Sequence, residues 1–187
     1  TLNLPVVPSA DRVKSAHEVE FRAARTEMPV PANKAPHVRD LRAVANVDRI
    51  KPGDKFLIGV VFEVQPEHHV NSHQPLEEGL IPTDVFPHST EGVEIARPVF
   101  PPGKVEKQFG EKLSVYRGRT AIALPVQANS DLATKELQFS GVLVYQACSD
   151  KEGTCYPPAA AEWSVVVPVA QSGQAVAQVN QDLFRGI

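Results

Sequence analysis

Residues 142–158 read VLVYQACSDKEGTCYPP and contain the only two cysteines of the 187-residue chain, Cys148 and Cys155. An apolar run leads into the first cysteine and a second, Trp163 to Val169, follows the other, which is typical of two strands joined by a polar turn. If the cysteines oppose each other in an antiparallel pair, residues 150–153 form a four-residue loop whose glycine can take a positive φ. Directly opposed residues at a non-hydrogen-bonded site lie about 4.5 Å apart at Cα, which a disulfide tolerates. We therefore expect a hairpin whose disulfide can form and break with little backbone movement.

The spacing of the cysteines excludes the commoner zinc and redox motifs. A single pair cannot make a four-cysteine zinc site, and neither the short Cys-x(2–4)-Cys spacing of mixed zinc sites nor a Cys-x-x-Cys motif is present. The pair is then either a structural bridge or a redox bridge. Closing so short a loop removes only on the order of 2.5 kcal/mol of chain entropy from the unfolded state, so chemistry alone leaves both possibilities open.

The rest of the sequence predicts an all-β fold. Residues 55–64 form the first clear strand, and their run Phe56 to Phe62 is apolar on both faces, which suits the centre of a sheet. Many short strands separated by Pro and Gly are typical of an immunoglobulin-like β-sandwich. Further strands are expected at residues 40–47, 69–72, 93–99, 113–126, 135–147 and 162–169.

The sequence predicts three parts of the chain: an N-terminal extension, a sandwich domain and a C-terminal tail. Residues 1–40 hold five prolines and are predicted to be an N-terminal extension outside the sandwich, with room for a short helix. Residues 41–170 are predicted to form the sandwich. Residues 171–187 are predicted to be a linker or short helix that leads toward a membrane segment.

Composition limits the function. A formal charge of −3 without a Lys/Arg cluster argues against nucleic-acid binding, which needs a concentrated basic face. The longest apolar runs are too short to span a bilayer. A core built from about 130 residues is large enough to fold without a cross-link. The chain begins at Thr1 without a signal peptide, so we expect any export signal or membrane segment to lie outside this sequence.

Five motifs resemble the N-terminal periplasmic domain of the thiol:disulfide interchange protein DsbD. They occur in the family's order and cover roughly residues 40–170. The resemblance implies an immunoglobulin-like sandwich whose paired cysteines accept electrons from a membrane partner and reduce periplasmic disulfide proteins. The motifs are Tyr145–Cys148, Cys155–Pro158, Leu113–Gly118 and, resembling a variant branch of the family, His69–Ser72 and Leu80–Thr83.

The resemblance also implies a cap over the sulfurs. In the family an aromatic side chain in the loop before the Ser-Val-Tyr-Arg strand covers the cysteines until a partner displaces it, and here that residue is Phe109, with Gly110 as a hinge. The acidic pair of the better-known form is replaced by lysine and glutamine, which leaves Glu106 and Glu111 as candidates for a nearby carboxylate. The alternative is that Phe109 simply docks onto the sandwich away from the cysteines.

Alignment places His69 and Asn71 where the better-known form has tyrosines. A neutral imidazole can take a proton from a thiol and a protonated one can hold a thiolate, so His69 is a candidate for tuning cysteine reactivity; the alternative is a hydrogen bond to backbone at a strand end. His68, His69 and His73 are close in sequence, and clustered imidazoles are typical ligands of copper or zinc, so a metal site has to be considered. Because His68 and His69 point to opposite faces of a strand, at most two of the three converge, and we predict no metal site.

Two tyrosines, Tyr145 and Tyr156, bracket the hairpin and are included among the predicted site residues. Pro157 and Pro158 remove two backbone donors just after the second cysteine, which indicates an open strand edge accessible to a partner or else a plain strand end. Trp163 is predicted to be a core residue.

We therefore predict a periplasmic domain of an inner-membrane protein that acts as a protein-disulfide reductase and needs no cofactor. The expected electron donors are a thioredoxin-like domain and a transmembrane domain of the same or a partner protein. The expected acceptors are a periplasmic disulfide isomerase or thioredoxin-like proteins of cytochrome c maturation. By resemblance, Cys155 bonds the partner and Cys148 resolves the mixed disulfide. The competing hypothesis is a non-catalytic immunoglobulin-like adhesion or assembly module with a structural disulfide.

Overall fold

A computed structural model of the chain describes residues 35–185, so most of the predicted N-terminal extension lies outside the described residues. The described residues form eleven strands and a short 3-10 helix, Gln181–Phe184. No helix among them is long and apolar enough to cross a bilayer. The strands are β1 (Val38–Ala45), β2 (Lys55–Val64), β3 (His68–Asn71), β4 (Asp84–Pro87), β5 (Val93–Ile95), β6 (Lys104–Gln108), β7 (Glu111–Tyr116), β8 (Arg119–Ala128), β9 (Glu136–Tyr145), β10 (Ala147–Ser149) and β11 (Ala159–Pro168).

The strands pair in three antiparallel sheets, with the orders β1-β2-β8-β5, β10-β3-β7-β6 and β11-β9-β4. This confirms the predicted all-β, immunoglobulin-like sandwich. Strand β2 has the predicted bounds and lies between β1 and β8. Residues 58–62 are buried on both of its faces, which agrees with the apolar character of the run.

One continuous core joins the sheets. Phe56 from β2 meets Phe139 from β9 edge to face, with ring centroids 5.8 Å apart. Tyr145 and Trp163 are also buried in this core, which confirms the prediction for Trp163.

The chain changes sheets at Gln146, just before the first cysteine. Strand β9 ends at Tyr145 and pairs with β11 and β4, whereas β10 begins one residue later and pairs with β3. The Gln146 side chain holds this corner, because its Oε1 accepts a hydrogen bond from the backbone N–H of Ile81 and its Nε2 donates one to the carbonyl of Tyr156. The cysteine turn is thereby carried out of the β9–β11 sheet and placed beside β3, β7 and β6.

Two stretches differ from their predicted strands. The single strand expected at residues 113–126 is divided into β7 and β8 by a turn at Arg117 and Gly118, where Gly118 has a φ of 56°. Strands β4 and β6 were not predicted, because prolines at or just before them weaken the strand pattern.

Residues 171–187 were predicted to be a linker or short helix, and the described part of this tail contacts the sandwich. Gln178 forms a β-bridge with Val47, and the Asn180 side chain donates a hydrogen bond to the carbonyl of Ala45. The ring of Phe184 packs against the backbone of Gly59, where an added Cβ would lie 3.0 Å from it. The tail therefore packs on β1 and β2 as far as the short helix Gln181–Phe184.

Candidate redox site

The two cysteines form a disulfide at the end of the corner described above. Cys148 lies in β10, directly opposite Cys155 in an isolated antiparallel bridge, with 3.9 Å between their Cα atoms. The flanking hydrogen bonds run from Ser149 N–H to Thr154 and from Tyr156 N–H to Ala147. The cysteines are thus a non-hydrogen-bonded pair, which confirms the predicted hairpin register.

The turn between the cysteines also has the predicted form. Gly153 has a φ of 63° and donates its N–H to the carbonyl of Ser149. Cys148 is buried, with 2% of its surface exposed, whereas Cys155 is exposed. The bridge therefore joins one sulfur that is open to solvent and one that is not.

His69 lies beside the bridge on the neighbouring strand. It is directly opposite Cys148 in the β3–β10 pair, so Cys155, Cys148 and His69 form a row across three adjacent backbone segments. Directly opposed residues of an antiparallel pair project from the same face. His69 and the disulfide are accordingly side-chain neighbours.

Asp150 holds the imidazole in place. The Nδ1 atom of His69 is 2.7 Å from Oδ1 of Asp150, so the ring bonds a carboxylate and not the backbone group considered from sequence. The Nε2 atom of His69 is buried and has no hydrogen-bond partner.

Arg117 links the cysteine turn to the neighbouring hairpin. Its guanidinium makes two contacts with Asp150, one of 2.9 Å to Oδ1, donates at 2.8 Å to Oε2 of Glu106, and donates to the carbonyl of His68. Partial burial would raise the pKa of Asp150, but hydrogen bonds from Arg117, His69 and Gln108 outweigh that effect and hold the pKa well below its usual range. Asp150 is therefore ionised at neutral pH.

The predicted carboxylates take different positions. Glu106 is bound by Lys104 and Arg117, whose hydrogen bonds lower its pKa despite some desolvation. Glu111 is exposed, although it lines the cavity at the bridge. The carboxylate that reaches the site most directly is Asp150, through His69.

Phe109 and Gly110 form the tip of the β6–β7 hairpin. Phe109 has a φ of 48° and Gly110 a φ of 94°, so the tip uses two left-handed residues in succession. The Phe109 side chain is 71% exposed, and its ring packs over Gly153, where an added Cβ would lie 2.9 Å from it. The aromatic predicted to cap the sulfurs thus lies against the turn that carries them.

A cavity of about 280 Å³ opens between this hairpin tip and the disulfide. Both cysteines line it, together with His69, Asn71, Phe109 and Glu111 among others. Asn71 is fully buried, donates to the carbonyl of Ile81 and to Gln146, and leaves its Oδ1 without a partner.

The two tyrosines have different surroundings. Tyr145 is fully buried, and its hydroxyl donates to the carbonyl of Pro36 at 2.8 Å; desolvation raises the pKa of this phenol. Tyr156 is half-buried and stacks on His37 with ring centroids 4.0 Å apart. Tyr145 therefore belongs to the core, and Tyr156 flanks the exposed cysteine.

The three histidines considered for metal binding have separate partners. His68 stacks on His37, His69 bonds Asp150, and His73 stacks on Phe100. Within residues 35–185 no group of three or more His, Cys, Asp or Glu side chains is arranged to hold a metal ion.

Sequence reasoning missed Arg117 and Asp150 as site residues. Arg117 belongs to the Ser-Val-Tyr-Arg motif and Asp150 to the predicted loop, but the sequence predicted no function for either residue. Arg117 and Asp150 pair because the folded chain places the Asp150 carboxylate, partly buried, beside the disulfide, where it needs an opposite charge. That burial is not visible in the sequence.

An immunoglobulin-like sandwich with a half-exposed disulfide on a hairpin turn defines a domain suited to thiol–disulfide exchange. The family model described as "Thiol:disulfide interchange protein DsbD, N-terminal" matches residues 37–166, more than two-thirds of the chain. The chain belongs to this family. No curated protein sequence matches it.

Three solved structures are similar to the chain at low sequence identity. The N-terminal periplasmic domain of ScsB from Proteus mirabilis has a TM-score of 0.47 and 15% identity, covering 78% of this chain and 52% of that one. The DsbD N-terminal domain of Neisseria meningitidis in the reduced form has a TM-score of 0.38 and 18% identity, covering 73% and 89%. The seventh ScaB type I cohesin of Pseudobacteroides cellulosolvens has a TM-score of 0.43 and 12% identity, covering 72% and 96%. The chain spans about half the length of the ScsB structure.

Proposed function

We propose that this domain is a periplasmic thiol–disulfide reductase module of a larger inner-membrane protein. It carries two electrons as the Cys148/Cys155 dithiol, receives them from a thioredoxin-like or transmembrane cysteine pair, and passes them to oxidised periplasmic proteins. One observation carries the proposal: the bridge joins an exposed sulfur to a buried one beside an open cavity. Family membership supports the same chemistry.

The difference in exposure supports a division of roles between the cysteines. Thiol–disulfide exchange needs access to the attacking sulfur and proceeds through a mixed disulfide. Cys155 is exposed, and residues 156–158 after it lie outside any strand, so a partner can approach along this edge. Cys148 is 2% exposed and is suited only to intramolecular resolution. Cys155 is therefore the sulfur that bonds the partner.

Phe109 and Gly110 act in this proposal as the cap that limits wasteful oxidation of the dithiol. The ring lies over Gly153 and lines the cavity that contains both cysteines. Its high exposure means that a partner can displace it at little energetic cost.

The downstream acceptors belong to the same proposal. A periplasmic disulfide isomerase and the thioredoxin-like proteins of cytochrome c maturation are the expected clients, because each keeps a cysteine pair that must be reduced in an oxidising compartment. The exchange itself needs no organic cofactor, since all electrons move between sulfur atoms.

The test is capture of an oxidised thioredoxin-like protein by each single-cysteine variant, read on a non-reducing gel and by intact mass. We expect Cys148→Ala to accumulate the mixed disulfide and Cys155→Ala to form none, with the double variant as control. Capture by Cys155→Ala alone would reverse the roles. Capture by neither, together with a midpoint potential below about −300 mV, would favour the structural disulfide of an assembly module.

A further inference from the structure

His69 is the only fully buried histidine in the described part of the chain, and one of its ring nitrogens has no partner. The side chain is 2% exposed, Nδ1 bonds Asp150, and Nε2 is buried without a hydrogen bond. Buried polar atoms are nearly always paired in folded proteins, so an unpaired one needs an explanation.

The partner of Nδ1 decides which nitrogen carries the proton. Asp150 is an ionised carboxylate that also binds the Arg117 guanidinium, so it can only accept hydrogen bonds. Nδ1 of His69 must then be the donor. In the neutral ring this leaves Nε2 as an acceptor with a free lone pair.

The oxidised bridge explains why that lone pair is unused. His69 is directly opposite Cys148, which places their Cβ atoms about 4.5–5.5 Å apart on one face, and both residues line the cavity. A disulfide sulfur has no proton to donate. Reduction of the bridge gives Cys148 an S–H group beside an acceptor that lacks a donor.

We propose that His69 is the general base for the resolving cysteine Cys148, and that Asp150 is the positioning residue that fixes its tautomer. This inference rests on the proposed function, because it assigns a role within the same exchange. Arg117 contributes by holding Asp150 ionised and in place.

The exchange proceeds through a mixed disulfide between Cys155 and the partner. Cys155 thiolate attacks the partner's disulfide, forming a Cys155–partner bond and releasing one partner thiolate. Cys148 then gives its proton to Nε2 of His69, and its thiolate attacks the Cys155 sulfur. The intramolecular disulfide forms as the second partner thiolate leaves. The domain loses two electrons, the partner gains them, and the two partner thiolates take up protons from His69 and solvent.

The charged surroundings of His69 come from several elements. Asp150 faces it from the cysteine turn, Arg117 lies behind Asp150, and Glu111 lines the cavity from β7. Glu77 and Glu78 line the cavity from the loop after β3. Of these groups, only Asp150 is hydrogen-bonded to the ring.

A two-phase reaction with 5,5′-dithiobis(2-nitrobenzoate) isolates the resolving step. The reduced protein releases one thionitrobenzoate when Cys155 attacks and a second when Cys148 resolves, so both rates come from one absorbance trace. The variant His69→Asn keeps a donor for Asp150 but lacks the base. His68→Asn is the matched control, since His68 points to the opposite face of β3.

We expect His69→Asn to slow the second phase at pH 7 by at least about tenfold while the first phase changes less than twofold. Its second phase should rise steeply with pH up to about 8.5, as for an unassisted thiol, whereas the parent should show a shallower dependence. An unchanged second phase in His69→Asn, equal slowing of both phases, or equal slowing in His68→Asn would overturn the proposal.

A measurement on the unaltered protein tests the proposal even if the His69→Asn variant fails to fold. The ¹⁵N chemical shift of Nε2 in His69 should change on reduction of the disulfide, because the nitrogen gains a donor; an identical shift in both states would overturn the proposal. Neither experiment uses a protein partner. Failure to capture a thioredoxin-like protein would therefore refute the proposed function while the two-phase result still decides the role of His69.

Discussion

Replacement of Phe109 by alanine separates a cap from a docked aromatic. The side chain is 71% exposed, so about three-tenths of its surface is buried. Full burial of a Phe side chain contributes about 1.5–3 kcal/mol, and this fraction corresponds to less than about 1 kcal/mol of unfolding free energy. For a domain of this size the thermal midpoint should fall by no more than about 4 °C.

The same substitution should expose the reduced thiols. The ring packs over Gly153 and lines the cavity with both sulfurs, so its removal should speed iodoacetamide labelling by about threefold or more. Labelling is followed by peptide mass, which distinguishes Cys155 from Cys148. Val105→Ala is the matched control, because Val105 is 59% exposed on the same hairpin and does not line the cavity.

The result that refutes the cap is unchanged labelling. If labelling stayed at the parent's rate while stability fell by several kcal/mol, Phe109 would be a docking residue whose main contacts lie elsewhere. An equal acceleration in Val105→Ala would show that the hairpin loosens as a whole and would remove the special role of the ring.

Three further predictions concern stability. The double variant Cys148→Ala/Cys155→Ala should unfold cooperatively in urea with a loss of no more than about 3 kcal/mol; failure to fold would indicate a structural bridge. The pKa of Asp150 is lowered in the folded state, so its contribution is complete above about pH 5 and is lost as the pH falls toward the folded-state value. Asp150→Asn should therefore flatten the fall in unfolding free energy between pH 5 and pH 2, and equal slopes in both proteins would contradict this. Tyr145→Phe should cost about 1 kcal/mol, because the hydroxyl loses its bond to Pro36, and should leave iodoacetamide labelling of the reduced thiols unchanged.

The local features of the cysteine hairpin could be predicted from sequence because they depend on neighbouring residues. The two apolar runs, the polar turn and the position of Gly153 determine the register, and the structure has that register. Strand β2 was predictable for a similar reason, since ten successive residues carry a strong strand pattern.

The network around Asp150 could not be predicted in this way. Asp150 and Arg117 are 33 positions apart, and His69 is 81 positions from Asp150, so no local pattern relates them. The change of sheet at Gln146 was hidden for the same reason, because an unbroken β pattern does not say which partner strand each half takes. Such choices depend on long-range packing.

Arg117 has a mechanical consequence for the hairpin that bears Phe109. The guanidinium donates to Glu106 on one side and to Asp150 on the other, and Gln108 also donates to Asp150, so strand β6 is held to the cysteine turn as far as Gln108. Only Phe109 and Gly110 extend beyond these hydrogen bonds. If Phe109 is the proposed cap, uncovering the sulfurs would require rotation about a few backbone bonds at the tip, a movement on the nanosecond-to-microsecond timescale, and not a movement of the whole hairpin. A cap movement of this kind would be too fast to limit a bimolecular encounter, so under the proposed function the docking of the partner would set the rate of exchange.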